Sequence, residues 1–185
     1  MKSSAFSALG HRTSEPPISW LMKMTLDHPH LISLAAGFTD NQSLPVVEAR
    51  ELLQQILRSP KTGQPALQYG STVGNPALRR LTAEHLRLAD GSGASATAPR
   101  LYSPDRLLIT NGSQQLLYLV TEALCDPGDI VLLEDPTYFV YLGIIQSHGL
   151  RARGLRLLQD GLDVDHLEQT LAALQRAGEL PRVKL

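Results

Sequence analysis

From Arg106 onward, short apolar runs alternate with segments of helical periodicity, and this alternation constrains the fold more than any other feature of the sequence. Parallel strands cannot be joined by a tight turn, because each return needs a long crossover that is usually a helix. The sequence therefore predicts an α/β fold of three layers, in which helices cover a mostly parallel sheet. The predicted strands are residues 107–110, 130–133, 152–158 and a fourth beginning at Arg182, and the predicted helices are 113–124, 138–147 and 164–177.

Two further helices are predicted before the sheet begins. One opens at Pro45 and is ended by Pro60, after which a polar loop is expected over residues 61–70. The other has Asn75 as its N-terminal cap and Pro76 in its first position, which suits proline because a residue there needs no N–H.

The charge balance bears on the partners of this chain, and the single cysteine bears on the redox compartment in which it works. Seventeen basic and eighteen acidic residues leave a formal net charge of -1, so nothing electrostatic favours nucleic acid or an anionic membrane. Cys125 is alone and forms no intramolecular disulfide, and the N-terminal residues contain no apolar run of secretory length. A reducing, cytoplasmic location is therefore expected. Of the six histidines, His28 and His30 flank Pro29, but two histidines alone make a poor metal site and a single cysteine completes no zinc pattern, so no metal is predicted.

The first strand end carries a pattern suited to phosphate. Ligands bind at the carboxyl ends of the strands in an open parallel sheet, and residues 110–115 follow the first predicted strand. Gly112 lets the backbone turn tightly, and Ser113 and Gln114 open a helix whose N–H groups and dipole favour an anion. A plain helix cap gives the same local pattern.

The second strand end, residues 134–138, ends in an aromatic side chain. Pro136 fixes the turn, and the ring of Tyr138 could cover a flat ligand beside the phosphate loop, although a core tyrosine is the alternative. Glu134 and Asp135 are either a carboxylate pair for acid–base chemistry or polar groups at a solvated strand end.

Five motifs follow one another along the chain. They are Ser-Leu-Ala-Ala-Gly (33–37), Gln-Tyr-Gly (68–70) with Gly-Asn-Pro-Ala-Leu-Arg (74–79), Thr-Asn-Gly-Ser-Gln-Gln (110–115), Cys-Asp-Pro-Gly-Asp (125–129) and Glu-Asp-Pro-Thr-Tyr (134–138). In this order they resemble the class I and II pyridoxal-phosphate aminotransferases of fold type I, most closely the branch of aminoadipate, kynurenine and aromatic transaminases. The resemblance implies the N-terminal portion of such an enzyme: residues 1–45 as an N-terminal arm and substrate-side segment, and 46–185 as the first part of an incomplete cofactor-binding large domain.

The resemblance also implies how the cofactor, pyridoxal 5'-phosphate, is held. Ser113 and Gln114 would hold its phosphate, Gly112 would give the backbone room, and Tyr138 would stack on the pyridine ring. The activity implied is transfer of an amino group between an amino acid and a 2-oxo acid.

Partner and substrate positions follow from the same resemblance. Tyr69 would reach across a homodimer interface to the neighbour's phosphate, and Gly37 would lie where the substrate carboxylate docks. Members of this branch often carry an arginine after the isoleucine of the arm, but here Ile18 is followed by Ser19. Trp20 then favours an apolar or aromatic substrate over an acidic one.

The catalytic lysine is the missing part. Transamination needs a lysine that holds the cofactor as a Schiff base, and none of the chain's four lysines follows a predicted strand end. The prediction is a chain with the phosphate loop and the stacking tyrosine but no catalytic residue, inactive by itself. Two alternatives stay open: an aminotransferase-like sensor domain of a transcription regulator, and a truncated, non-catalytic phosphate-binding or dimerisation module. The lysines are Lys2, Lys23, Lys61 and Lys184.

Overall fold

The computed structural model describes residues 5–32, 34, 37, 39–91 and 99–185. They form two compact units, one of residues 1–37 with 112–185 and one of residues 38–111. The expected boundary between residues 45 and 46 remains a prediction. In chain order the helices are α1 (Ala8–Arg12), α2 (Pro17–Asp27), α3 (Val46–Ile56), α4 (Pro60–Leu67), α5 (Pro76–Ala89), α6 (Gly112–Leu124), α7 (Phe139–His148) and α8 (Val164–Arg176), and the strands are β1 (Ile130–Asp135), β2 (Arg151–Leu158) and β3 (Gly161–Leu162).

The sheet lies in the unit that contains residues 112–185. Its strands β1 and β2 are parallel neighbours in a register that pairs Ile130 with Arg151, and α7 is the crossover between them. β3 returns antiparallel to the end of β2, so the described sheet is small and mixed. On the other edge of β1, Val183 forms a parallel bridge to Ile130, where the fourth strand was predicted to begin. The α/β class is confirmed.

The core of this unit is built around α7. This helix carries apolar residues around most of its circumference because it packs against both the sheet and α6. Burial of each large apolar side chain contributes about 1.5–3 kcal/mol. The core residues are Val131, Tyr141, Ile144, Ile145 and Leu150, with Leu117, Cys125, Leu133 and Leu185 packed against them.

The helix α1 is attached to the C-terminal end of α7. The Nε of Arg12 donates a hydrogen bond of 2.9 Å to the carbonyl oxygen of Ser147. Gly149, which ends α7 in the left-handed conformation at φ 71°, leaves the space that the Arg12 guanidinium occupies. A Cβ at Gly149 would lie 3.0 Å from the Arg12 Nε.

In the unit of residues 38–111, the helix predicted from the Asn75 and Pro76 pair is present as α5. The Asn75 side chain accepts hydrogen bonds from the amides of Ala77 and Leu78 at 2.9 and 3.2 Å, as a cap should.

The loop predicted after Pro60 is wrong, because Pro60 begins α4 instead of ending α3. Ser59 caps α4 by accepting a hydrogen bond from the amide of Thr62. A proline in the first turn lacks only an N–H that would have no partner in the helix, so it starts helices as well as it stops them.

Residues 107–110, predicted as a strand, are not a strand in the structure. The amide of Ile109 donates to the carbonyl of Val73 at 3.1 Å, and the neighbouring Gly74 has φ 102°. A Cβ on Gly74 would lie 2.6 Å from the Ile109 side chain, so this close approach requires glycine. Across the described ranges, no helix has the length and apolar character needed to cross a membrane.

Candidate functional site

The first turn of α6 opens onto solvent. Gly112 has φ 78°, a backbone conformation that favours glycine. A Cβ there would meet nothing within 4 Å, so glycine is required by the backbone conformation and not by a lack of space. Ser113 and Gln114 follow as exposed residues. Amides in the first turn of a helix have no intrahelical acceptor, and the helix dipole adds positive potential there. The turn therefore offers donors to an anion arriving from solvent.

Tyr138 lies where the chain passes from β1 into α7. It is the residue that precedes the first turn of α7, and it is 52% exposed. Its ring lies 5.8 Å from that of Phe139, between centroids, at an interplanar angle of 49°. The Asp135–Pro136 peptide bond before it is cis. An aromatic face is thus accessible at the carboxyl end of β1.

A cavity of about 380 Å³ lies at the same end of β1. Glu134, Asp135 and Thr137 line it, together with Gly154 from β2. A Cβ on Gly154 would lie 3.1 Å from the Asp135 Oδ2, so the glycine leaves room for that carboxylate. The two acidic side chains are exposed, as expected of strand-end polar groups.

A buried hydroxyl pair fixes α6 against α7. Thr121, which is 0% exposed, donates its only hydroxyl hydrogen to the carbonyl of Leu117 at 2.7 Å. The Tyr141 hydroxyl, 2.9 Å from the Thr121 Oγ1, must therefore be the donor to it. Ser113 lies two turns before Thr121, about 12 Å along the helix. This pair thereby sets where the first turn of α6 stands relative to α7.

The same two helices share a second polar contact. The His148 Nε2 lies 2.7 Å from the Glu122 Oε2, and the His148 Nδ1 lies 2.8 Å from the carbonyl oxygen of Ile144. The Tyr118 ring packs edge-on against the imidazole, with centroids 5.0 Å apart. Both ring nitrogens of this buried histidine are thus engaged, and α6 is held to α7 at two levels.

The sequence predicts where α6 and α7 begin and end, but it does not predict the polar contacts between them. The spacing of the apolar residues Leu116, Leu117, Val120, Ala123 and Leu124 predicts a core stripe on α6. In the structure, however, Leu116 and Leu124 are 43% and 55% exposed, and Thr121 is the buried residue. Among the described residues α6 packs against α7, and a helical pattern alone does not indicate which face makes this contact. The sequence signal for this contact was the polar Thr121, which stands between the apolar residues Leu117 and Leu124.

The predicted residues are divided between the two units. Gly112, Ser113, Gln114 and Tyr138 belong to the unit that contains the sheet. Gly37 belongs to it as well and is exposed, with open space around its Cα. Tyr69 belongs to the other unit, in the segment between α4 and α5, and is 99% exposed.

Comparison with known proteins places the chain in a family. Residues 29–183 match the family model for aminotransferase class I and II. The 2-aminoadipate transaminase of Thermus thermophilus is 36% identical over 174 residues, covering 91% of this chain and 38% of that protein. Aromatic-amino-acid aminotransferase 1 of Thermococcus litoralis is 32% identical over 176 residues, covering 95% and 39%.

The chain is also similar to a solved aminotransferase structure and to a transcriptional regulator. The kynurenine aminotransferase of Pyrococcus horikoshii superposes with a TM-score of 0.77 at 30% identity, covering 95% of this chain and 40% of that one. YisV of Bacillus subtilis, an uncharacterized HTH-type transcriptional regulator, is 27% identical over 168 residues, covering 81% and 32%. The chain spans about 40% of the length of the aminotransferases that it matches. The family resemblance and the fold type predicted from the motifs are confirmed: this chain belongs to the class I and II aminotransferases.

Proposed function

We propose that this chain forms the cofactor-phosphate and ring-stacking part of an enzyme that transfers an amino group between an amino acid and a 2-oxo acid. The observation that carries the proposal is the solvent-open first turn of α6, with Gly112 at φ 78°, in a chain of this family. The cofactor is pyridoxal 5'-phosphate. When bound, it withdraws electrons from the substrate's α-carbon and so makes the bonds there easier to break.

The donors of this turn fit a phosphate dianion. Ser113 supplies a hydroxyl and a backbone amide, and Gln114 supplies a second amide and its carboxamide. Gly112 carries no Cβ and leaves the approach open. These neutral donors and the helix dipole act together on one group, as helix N-termini do for phosphates elsewhere.

Tyr138 supports the proposal by its exposure. An aromatic ring stabilises a flat heterocycle by stacking, and a half-exposed ring at the carboxyl end of β1 is available for it. In this role Tyr138 orients the pyridine ring and shields one of its faces from water.

Among the described lysines of the unit that contains the sheet, Lys184 is placed beside the amino end of β1, the end opposite to the one that precedes Tyr138. Lys23 is on α2 and Lys61 is on α4. The amide of Lys184 donates to the carbonyl of Ile130, the first residue of β1. The two ends of this strand lie about 17 Å apart at the usual rise per residue. We therefore infer that the chain by itself binds the cofactor reversibly and does not transaminate.

Two further roles belong to the same proposal. Tyr69 would act on the phosphate of a neighbouring subunit in a homodimer, and its almost complete exposure leaves the phenol free to do so. Gly37 would lie beside the substrate carboxylate, where an absent side chain gives the ligand room.

The test is a titration of the chain with pyridoxal 5'-phosphate, followed by absorbance and by amide-resolved NMR. We expect saturable binding that Ser113→Ala weakens by about 10- to 100-fold, the loss of one hydrogen bond to a charged group. Ser14→Ala, a change at an exposed serine distant in sequence, is the matched control. Equal binding by wild type and Ser113→Ala would overturn the phosphate assignment.

Borohydride reduction of the same mixture tests the inference about lysine. We expect the cofactor to be removed by dialysis afterwards and no transamination to be measurable. Cofactor trapped on one of the four lysines, or turnover by the chain, would contradict it.

A second candidate function is the aminotransferase-like domain of a transcription regulator, and the similarity to YisV favours it. Both functions keep the same cofactor site, so cofactor binding does not separate them. Transamination assayed on the whole protein that contains this chain does, because a regulator would bind the cofactor without steady turnover.

A further inference from the structure

A second cavity, the Arg153 cavity, lies between β2 and α8 and has a volume of about 410 Å³. Its polar lining consists of Arg153 from β2, His166 and Thr170 from α8, and Glu179 just beyond that helix. The rest of the lining is small or apolar. Apart from Gly154, which also lines the cavity at the carboxyl end of β1, the residues of this lining are not among those of the proposed cofactor site. The alternation of β2 places Arg153 on the same face as the buried Leu155.

The hydrogen bonds of His166 fix its tautomer. The backbone amide of Arg156 donates to the His166 Nδ1 at 3.0 Å. Because Nδ1 accepts, it carries no proton, and the neutral ring holds its hydrogen on Nε2. His166 and Thr170 are one turn apart on α8 and share a face. The cavity is therefore lined by an imidazole N–H donor and a hydroxyl on that face.

The carboxylates nearest the cavity already have cationic partners. The Glu179 Oε1 accepts a hydrogen bond of 2.6 Å from Arg151. That hydrogen bond is the largest influence lowering the pKa of Glu179, and the charge of Arg153 lowers it further. Asp163 is likewise paired with Arg156 at 2.5 Å. Within the described ranges, no carboxylate forms a close ion pair with Arg153.

We propose that the Arg153 cavity binds a small oxyanion group, a phosphate or a carboxylate, through the guanidinium of Arg153, the Nε2–H of His166 and the hydroxyl of Thr170. Three donors, one from β2 and two from α8, match the several acceptor oxygens of such a group. Glu179 does not repel the anion strongly because Arg151 compensates its charge. The volume lies within the usual range for ligand pockets, about 300–1,000 Å³, and leaves space for the molecule that carries the anion.

The test uses inorganic phosphate and, separately, acetate as probes, with sodium chloride at matched ionic strength as the reference. Amide-resolved NMR spectra of the chain follow Gly154, His166 and Thr170 during each titration. We expect a saturable shift with at least one probe beyond that of chloride. Arg153→Gln should weaken this binding by about tenfold or more, since a charge-assisted hydrogen bond is lost. Arg176→Gln, an exposed arginine on α8 outside the lining, should leave it unchanged.

Each outcome decides the proposal. A response to phosphate alone or to acetate alone supports it and identifies the oxyanion. Thr170→Val is the second variant and should weaken the same response without removing charge. No saturable response to either probe, or equal affinity in wild type and Arg153→Gln, overturns it. Phosphate shifts at Ser113 and Gln114 report the proposed cofactor site and are scored separately.

Discussion

The hydroxyl pair between α6 and α7 predicts a strong non-additivity in stability. In the variant Thr121→Val, the buried Tyr141 hydroxyl loses its acceptor, which costs about 1–3 kcal/mol of unfolding free energy. Tyr141→Phe removes only the donor and leaves the bond from Thr121 to the Leu117 carbonyl, so it costs about 0.5–1.5 kcal/mol.

The double variant should be no less stable than Thr121→Val alone. With both hydroxyls replaced by apolar groups, no buried polar atom is left without a partner, and the helix keeps its own backbone bonds. The coupling free energy between the two positions is therefore expected to be about 1 kcal/mol.

Urea denaturation of the chain, its two single variants and the double variant measures this coupling, with the m-value as the check that the same surface unfolds. Tyr118→Phe is the matched control: it removes a phenolic hydroxyl from the same helix pair at a 40% exposed position, and should cost less than about 0.5 kcal/mol. Additivity of the two single changes within about 0.5 kcal/mol would refute the donor assignment.

Three further predictions follow from the caps and the thiol. Asn75→Ala should lower the unfolding free energy by about 1 kcal/mol in urea denaturation, whereas Asn75→Asp should change it little, because only the first removes the cap of α5. The His166 amide, and then Arg156, lower the pKa of Asp163, so this carboxylate stabilises the fold above its unfolded pKa of about 3.9 and the effect is lost as the pH falls through the lower folded value. Asp163→Asn keeps the cap and should flatten the acid limb of the stability profile; an unchanged limb would contradict the charge argument. Burial, and then the charge of Asp129, raise the pKa of the Cys125 thiol, so modification by a thiol reagent near neutral pH should be slower than for a model peptide, and a faster reaction would contradict this.

The elements predicted correctly from sequence are those whose signals are local. Asn75 and Pro76 define the start of α5, and the apolar run from Ile130 followed by helical spacing defines β1 and its crossover. Such signals act within a few residues, so the sequence contains them whether or not the rest of the fold is known.

The errors are of two physical kinds. Pro60 is compatible with both the end of one helix and the start of the next, and only the cap at Ser59 distinguishes them. Residues 107–110 form a strand only beside a neighbouring strand, and no local sequence pattern shows whether one is present. The predicted site residues remain predictions in their roles, although the backbone turn expected at Gly112 is present.

Gly149 limits how this chain can change. Its left-handed backbone disfavours other residues, asparagine least among them, and the Arg12 side chain fills the volume that a substituent would need. In a library of variants at this position, nearly all replacements should therefore be lost. Replacing Arg12 by a residue with a shorter side chain would remove the steric crowding, but the strain of the left-handed backbone would remain. In directed evolution of the chain, we therefore expect Gly149 to stay unchanged, whereas residues of α1, which packs against this helix end, can still be substituted.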